Sequence, residues 1–298
     1  DVRSPVARAR ICVSCHIGNA EAGRVLTHEM YAAGHPPLPG FEIESFTEQM
    51  PRHWTTVEEK KPAALRQAFL KQTEDKLFKD GFYRSGDLHR TRSMLVTAVV
   101  SLAKSLELTA ELCDAPGAWP ELAQFECYAC HHDLRDPAWR QKRKPPGGLP
   151  GRPALREWTT VLARVALGDT AVVGKFEGNW TRVQETLRKR PFGQKEDLGS
   201  QARSTASWLM IQAKTLEGTR LDRAAGRRML LKIARIGAEQ PLDFDSARQL
   251  VWACRVIDGE LGDQGLGPAR KLLDALVETT VVTRLRKKMP DQVPDPLG

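Results

Sequence analysis

The sequence predicts an all-α protein. Three observations carry that prediction. Apolar residues recur at helical spacing through long stretches, no period-two alternation competes with them, and helix-start residues stand where several stretches begin. The 298 residues are enough for one large domain or two ordinary ones. Apolar content of 41% and charged content of 28% fit a globular chain. No continuous apolar run reaches the roughly 18 residues that a membrane-spanning helix needs.

Taken in order, the first 140 residues hold two cysteine motifs joined by a long loop (36–60), a helix near 60–78 and a helix over 88–113. In LHRTRSMLVTAVVSLAKSLELTAEL (88–112), Leu88, Leu95, Val99, Leu102 and Leu106 form one apolar stripe, which reads as a buried helix. QKRKPPGGLPGRP (141–153) is rich in Pro and Gly and reads as a linker. Helical patterns follow at 154–167, 179–190, 197–218, 221–239, 243–261 and 268–289. Asp243 and Asp245 are candidate N-caps, and Pro268 suits a first turn. The expected organisation is a motif-bearing part (1–140), the linker, and a bundle of about five helices (154–298). The bundle's expected role is to pack on the first part and to dock a partner.

The chain opens at Asp1 with neither a Met start nor a signal peptide, and so reads as a mature or partial chain whose targeting signal lies outside this sequence. The net charge of +8 is spread over short runs such as Arg188-Lys189-Arg190 and Arg286-Lys287-Lys288. A generally basic surface explains it. An acidic protein partner, an anionic membrane surface or nucleic acid are the functional alternatives. No nucleic-acid motif accompanies the charge, so nucleic acid is not an expected partner.

Four of the six cysteines lie in two copies of one pattern, CVSCH (12–16) and CYACH (127–131). Cys-x-x-Cys-His is the attachment signature of c-type haem. Two thiols add to the two vinyl groups on one porphyrin edge, and the following histidine then sits where its imidazole can bind the iron. Cys12, Cys15, Cys127 and Cys130 are therefore the expected attachment points, and His16 and His131 the proximal iron ligands. Zinc would pair the cysteines at closer spacing, and a thioredoxin-like site would need one motif in a βαβ context. Structural disulfides would leave the two histidines unexplained. Two covalently bound haems, each with its iron, are the expected cofactors.

Five more histidines could fill the remaining axial positions: His28, His35, His53, His89 and His132. His28 and His35 sit in THEMYAAGHPPLPGFE, on a loop stiffened by Pro36, Pro37 and Pro39 just after the first motif. His132 adjoins His131. Neighbouring side chains point in different directions, so His132 could reach only a different iron. His89 borders the apolar stripe, and His53 lies in PRHW. Met30 and Met50 are candidate sulfur ligands. Cys113 and Cys254 are left over, either as a disulfide or as buried thiols.

CVSCHIGNAEAGRVLTHEMYAAGHPPL and WPELAQFECYACHHDLRDPAWRQ, within roughly residues 8–145, resemble multihaem c-type cytochromes related to the tetrahaem electron carrier of ammonia oxidisers. The resemblance implies closely packed haems, mostly with two histidine ligands, that pass electrons between redox partners. It implies His28, His35 and His132 as distal ligands. It also implies an exported, periplasmic or extracellular protein that works with redox proteins or other cytochrome subunits, in a homo- or hetero-oligomer. Only two haem motifs occur here, where that group usually has four or more. The expected function is an electron-transferring dihaem cytochrome. The alternatives are a haem reductase or peroxidase with one open axial site, or a structural subunit of a larger cytochrome complex or filament.

Overall fold

In the computed structural model, α1 (Pro5–His16) starts on Ser4, whose hydroxyl accepts the Ala7 N–H, with Pro5 in the first turn. The described residues are 4–51, 64, 68, 86–132, 134–135, 151–168, 170–240 and 242–262. Most of the helix expected near 60–78, the linker up to residue 150, the helix expected over 268–289, and His53 lie outside them. α2 (His28–Ala32) and α3 (Ile43–Gln49) are short. α4 (His89–Asp114) is the long helix that the apolar stripe predicts. Two 3-10 turns, Leu122–Gln124 and Cys127–Ala129, precede α5 (Trp158–Ala166), α6 (Thr170–Lys189), α7 (Lys195–Gly218), α8 (Arg223–Glu239) and α9 (Phe244–Leu261). Strand pairing among the described residues is limited to two isolated bridges, so the fold is all-α as predicted.

α4 is the spine. Its 26 residues span about 39 Å at 1.5 Å per residue. Leu88, Leu95, Val99, Leu102 and Leu106 are all buried. α4 lies along α7, with α1, α3, α5 and α9 also packed against it. One hydrophobic core therefore runs from Val6 and Val13 of α1 through α4 to Leu209 of α7 and Ile257 of α9. Packing does not stop at the Pro/Gly-rich stretch. α4 and α7 approach so closely that a Cβ on Gly199 would lie 3.2 Å from the Cys113 Cβ. By length and composition α4 could cross a membrane, but 83% of its apolar window is buried in this protein, which fits a core helix.

The start of α4 is capped from a distance. Leu88 offers no side-chain cap. The Glu260 carboxylate of α9 instead accepts the Arg90 and Thr91 N–H groups at 2.8 and 2.9 Å. Beside it, buried Asp87 pairs with buried Arg92 and accepts the Leu221 N–H, which ties α4 to the α7–α8 connection.

Several boundaries differ from the sequence reading. The segment 154–156 is not helical, because Leu155 bridges Phe125. α6 begins nine residues before the expected 179, despite Gly174 and Gly178, because Phe176 is a fully buried anchor. The long loop contains α3, capped by Glu42. At α9, Asp243 is the N-cap and accepts the Ser246 N–H at 2.8 Å.

Candidate cofactor site at the two motifs

The first motif forms the last turn of α1. Cys12, Cys15 and His16 stand at i, i+3 and i+4, the spacing that shares one helical face. Cys15 is exposed, and Cys12 and His16 are half-buried. The His16 ring stacks on Phe41 at 4.3 Å and meets Phe46 edge-on at 5.1 Å. Phe46 in turn abuts Trp252 of α9. Burial lowers the His16 pKa below the ordinary imidazole value, which favours the neutral, ligand-competent form. Burial also raises the Cys12 thiol. Next to Phe41, Glu42 is almost wholly buried, and burial pushes its carboxyl up to about 7, although it accepts the Glu44 and Ser45 N–H groups.

The second motif is a tight turn rather than a helix. The Cys130 and His131 N–H groups both donate to the Cys127 carbonyl, at 3.2 and 2.8 Å. Cys127, Cys130 and His131 are exposed, and His132 is half-buried. The turn is held by the Phe125–Leu155 bridge and by the Glu126 N–H donating to the Ala154 carbonyl at 3.0 Å. His28, the first residue of α2, lies opposite. Its ring centre is 6.2 Å from that of His131, with 26° between the planes. Thr27 caps α2, and the Glu121 carboxylate accepts the N–H groups of both His28 and Ala123 at 2.8 Å. One side chain thereby fixes the start of α2 against the turn that leads into Cys127.

His35 is exposed and follows Gly34, whose φ of 101° requires glycine here. Its Nδ1 lies 2.7 Å from the Pro36 carbonyl. A carbonyl only accepts, so Nδ1 is the donor in this contact. Leu38 and Phe41, a few residues on, contact the surroundings of His16. His89 is engaged elsewhere, its Nδ1 3.3 Å from the Arg92 guanidinium. Cys113 and Cys254 are both buried and are not joined in a disulfide, and burial pushes Cys113 up to about 12.

A small cavity lies beside the first motif. Its volume is about 30 Å³, and its lining includes His16, Tyr31, Gln124, Arg156 and Trp158. Gln124 is three residues before Cys127, within about 11 Å of chain from the second motif.

The residues present fit two covalently held haems. Each motif pairs two thiols with an adjacent imidazole, and large apolar side chains are exposed close by: Ile11 beside Cys12, Met30 beside His28, and Leu134 beyond His131. An unpartnered apolar side chain in water is the surface a porphyrin face would cover. Sequence reasoning missed Glu121, Phe41 and Arg156, which act through packing between distant segments and carry no motif. It also missed that three carboxylates, Glu126, Glu157 and Asp243, come together, with oxygens within 4.8 Å of one another. Two of them serve the backbone: Glu126 accepts the Glu157 N–H and Asp243 caps α9. No protein family, curated protein or solved structure matches the chain.

Proposed function

We propose that the chain is a dihaem c-type cytochrome that relays electrons between redox proteins. One haem is held by Cys12, Cys15 and His16, the other by Cys127, Cys130 and His131. The observation that carries this reading is the His28–His131 pair. Two imidazoles that share one iron, with metal–nitrogen bonds of about 2.0–2.1 Å and roughly 1.1 Å more to each ring centre, have centres roughly 6 Å apart. The 6.2 Å separation is close to that distance and supports His28 as a ligand at the second motif rather than at the motif it follows in sequence.

Haem supplies a one-electron couple. This chain's residues anchor it, close its axial positions and set its surroundings. Two histidine ligands bias the potential low relative to a histidine–methionine pair. The net charge of +8 suits an acidic redox partner or cytochrome subunit. An exported, periplasmic or extracellular location goes with covalent haem attachment.

A second reading has one observation in its favour. Among the described residues, the rings packed against His16 are Phe41 and Phe46, and no described histidine ring pairs with it. An open axial position at the first iron would make that site a reductase or peroxidase centre. Haem quantification and EPR of the oxidised protein decide. Two haems per chain, both low-spin and indifferent to cyanide or nitrite, are the expected result. A high-spin signal that shifts with added ligand gives the enzyme reading the lead, and absence of haem sinks both.

A further inference from the structure

Arg156 contrasts with three other half-buried arginines of this protein. Arg90 holds Glu44 and Glu48, Arg164 holds Glu177, and Arg248 holds Asp245. A guanidinium drawn partly out of water normally finds such a carboxylate. Among the described residues Arg156 has none. Its Nη2 lies 3.5 Å from the Tyr31 hydroxyl, and its charge sits 6.0 Å from the centre of the Tyr31 ring.

Its position is built. The Arg156 N–H donates to the Gln124 carbonyl at 3.3 Å, beside the Phe125–Leu155 bridge and just before α5. Arg156 lines the same cavity as His16, with Ser105, Gln124 and Thr159 as polar neighbours. A water-sized group needs about 10–15 Å³, so the 30 Å³ available admit a group of about two or three heavy atoms. That is the size of a carboxylate and far below that of a macrocycle.

We propose that Arg156, assisted by the Tyr31 hydroxyl, binds a propionate carboxylate of the porphyrin held at the first motif. This rests on the dihaem reading. The planar guanidinium offers two parallel N–H donors to one carboxylate, and Tyr31 offers an O–H to the same group. The pair then orients the macrocycle over His16. Because Tyr31 lies on α2, the same contact couples the first haem to the helix that carries His28.

The test compares wild-type protein with Arg156→Gln, Arg156→Lys and Tyr31→Phe by redox titration, with haem counted on each sample. Removing the cation beside the haem disfavours its reduction. For Arg156→Gln the expected result is one of two waves moved down by about tenfold in the reduction constant, or 59 mV for one electron, with the other wave in place. Arg156→Lys and Tyr31→Phe move the same wave less. They keep the test readable if the glutamine variant does not fold. Two haems per chain with unmoved potentials in all three variants overturn the propionate assignment alone. So does a wild-type spectrum that responds to added acetate or nitrite only while Arg156 is present, which identifies a free anion as the ligand. Wild-type protein without haem overturns the dihaem reading, and this inference with it.

Discussion

The two motifs share one five-residue pattern and sit in opposite surroundings. CVSCH ends a 12-residue helix, and its histidine is wedged among aromatic rings from α3 and the preceding loop. CYACH is a single exposed turn whose histidine faces another histidine. At the first, packing restrains the ligand. At the second, hydrogen bonds through Glu121 and the Phe125–Leu155 bridge do so. On the dihaem reading, the pattern dictates where a cofactor attaches, and the rest of the chain decides how each attachment is held. A packed ligand resists displacement through apolar burial, whereas a ligand on a turn depends on a few polar contacts.

That contrast can be broken at either end. The largest expected effect is on the second motif alone. His28→Ala converts one low-spin haem to a high-spin, ligand-responsive one in the EPR spectrum and leaves the other untouched. His35→Ala leaves the His131 signal unchanged. A His35→Ala variant that opens the His131 iron, or a silent His28→Ala, would reverse the pairing.

At the first motif, Phe41→Ala removes a buried ring and costs about 3–5 kcal/mol in a denaturant titration. It should also alter only the His16 haem spectrum. Glu42→Gln is next. A carboxyl raised in the folded state to about 7 is better accommodated protonated. Its contribution to stability is full below its unfolded pKa near 4.5 and is lost as pH rises through about 7, a swing of roughly 3 kcal/mol. Glu42→Gln should flatten that slope in denaturation midpoints collected across this range. A slope that persists in the variant would mean that another group causes it. The smallest effect is Glu121→Ala, which leaves the His28 and Ala123 N–H groups without their acceptor and costs about 1–2 kcal/mol. It should perturb the second haem's potential and spare the first.

Much of the fold was legible because periodicity is local. The stripe from Leu88 to Leu106 announced α4, and Asp243 announced the start of α9. What stayed hidden depends on distant partners. Leu155 leaves the helical pattern to bridge Phe125, and Phe176 carries α6 back through two glycines because the core accepts its ring. The two Cys-x-x-Cys-His motifs were legible because each is local in sequence. The approach of His28 to His131 was not. Proximity in sequence favours the first motif, and the Glu121 contact, made across 93 residues, holds α2 near the second.

The clamp at the start of α1 bears on the order in which the protein can mature. Glu217 accepts the Ser4 hydroxyl and the Val6 N–H, and the Ser4 contact spans 213 residues of chain. When CVSCH is first synthesised, the side chain that will pin its helix does not yet exist. The segment that holds the first pair of thiols therefore stays unpinned while the chain is still incomplete. Its helix locks only once α7 has formed and docked, a late event set by long-range contact. A chain cut within the Pro/Gly-rich stretch would keep every attachment residue and lose that lock.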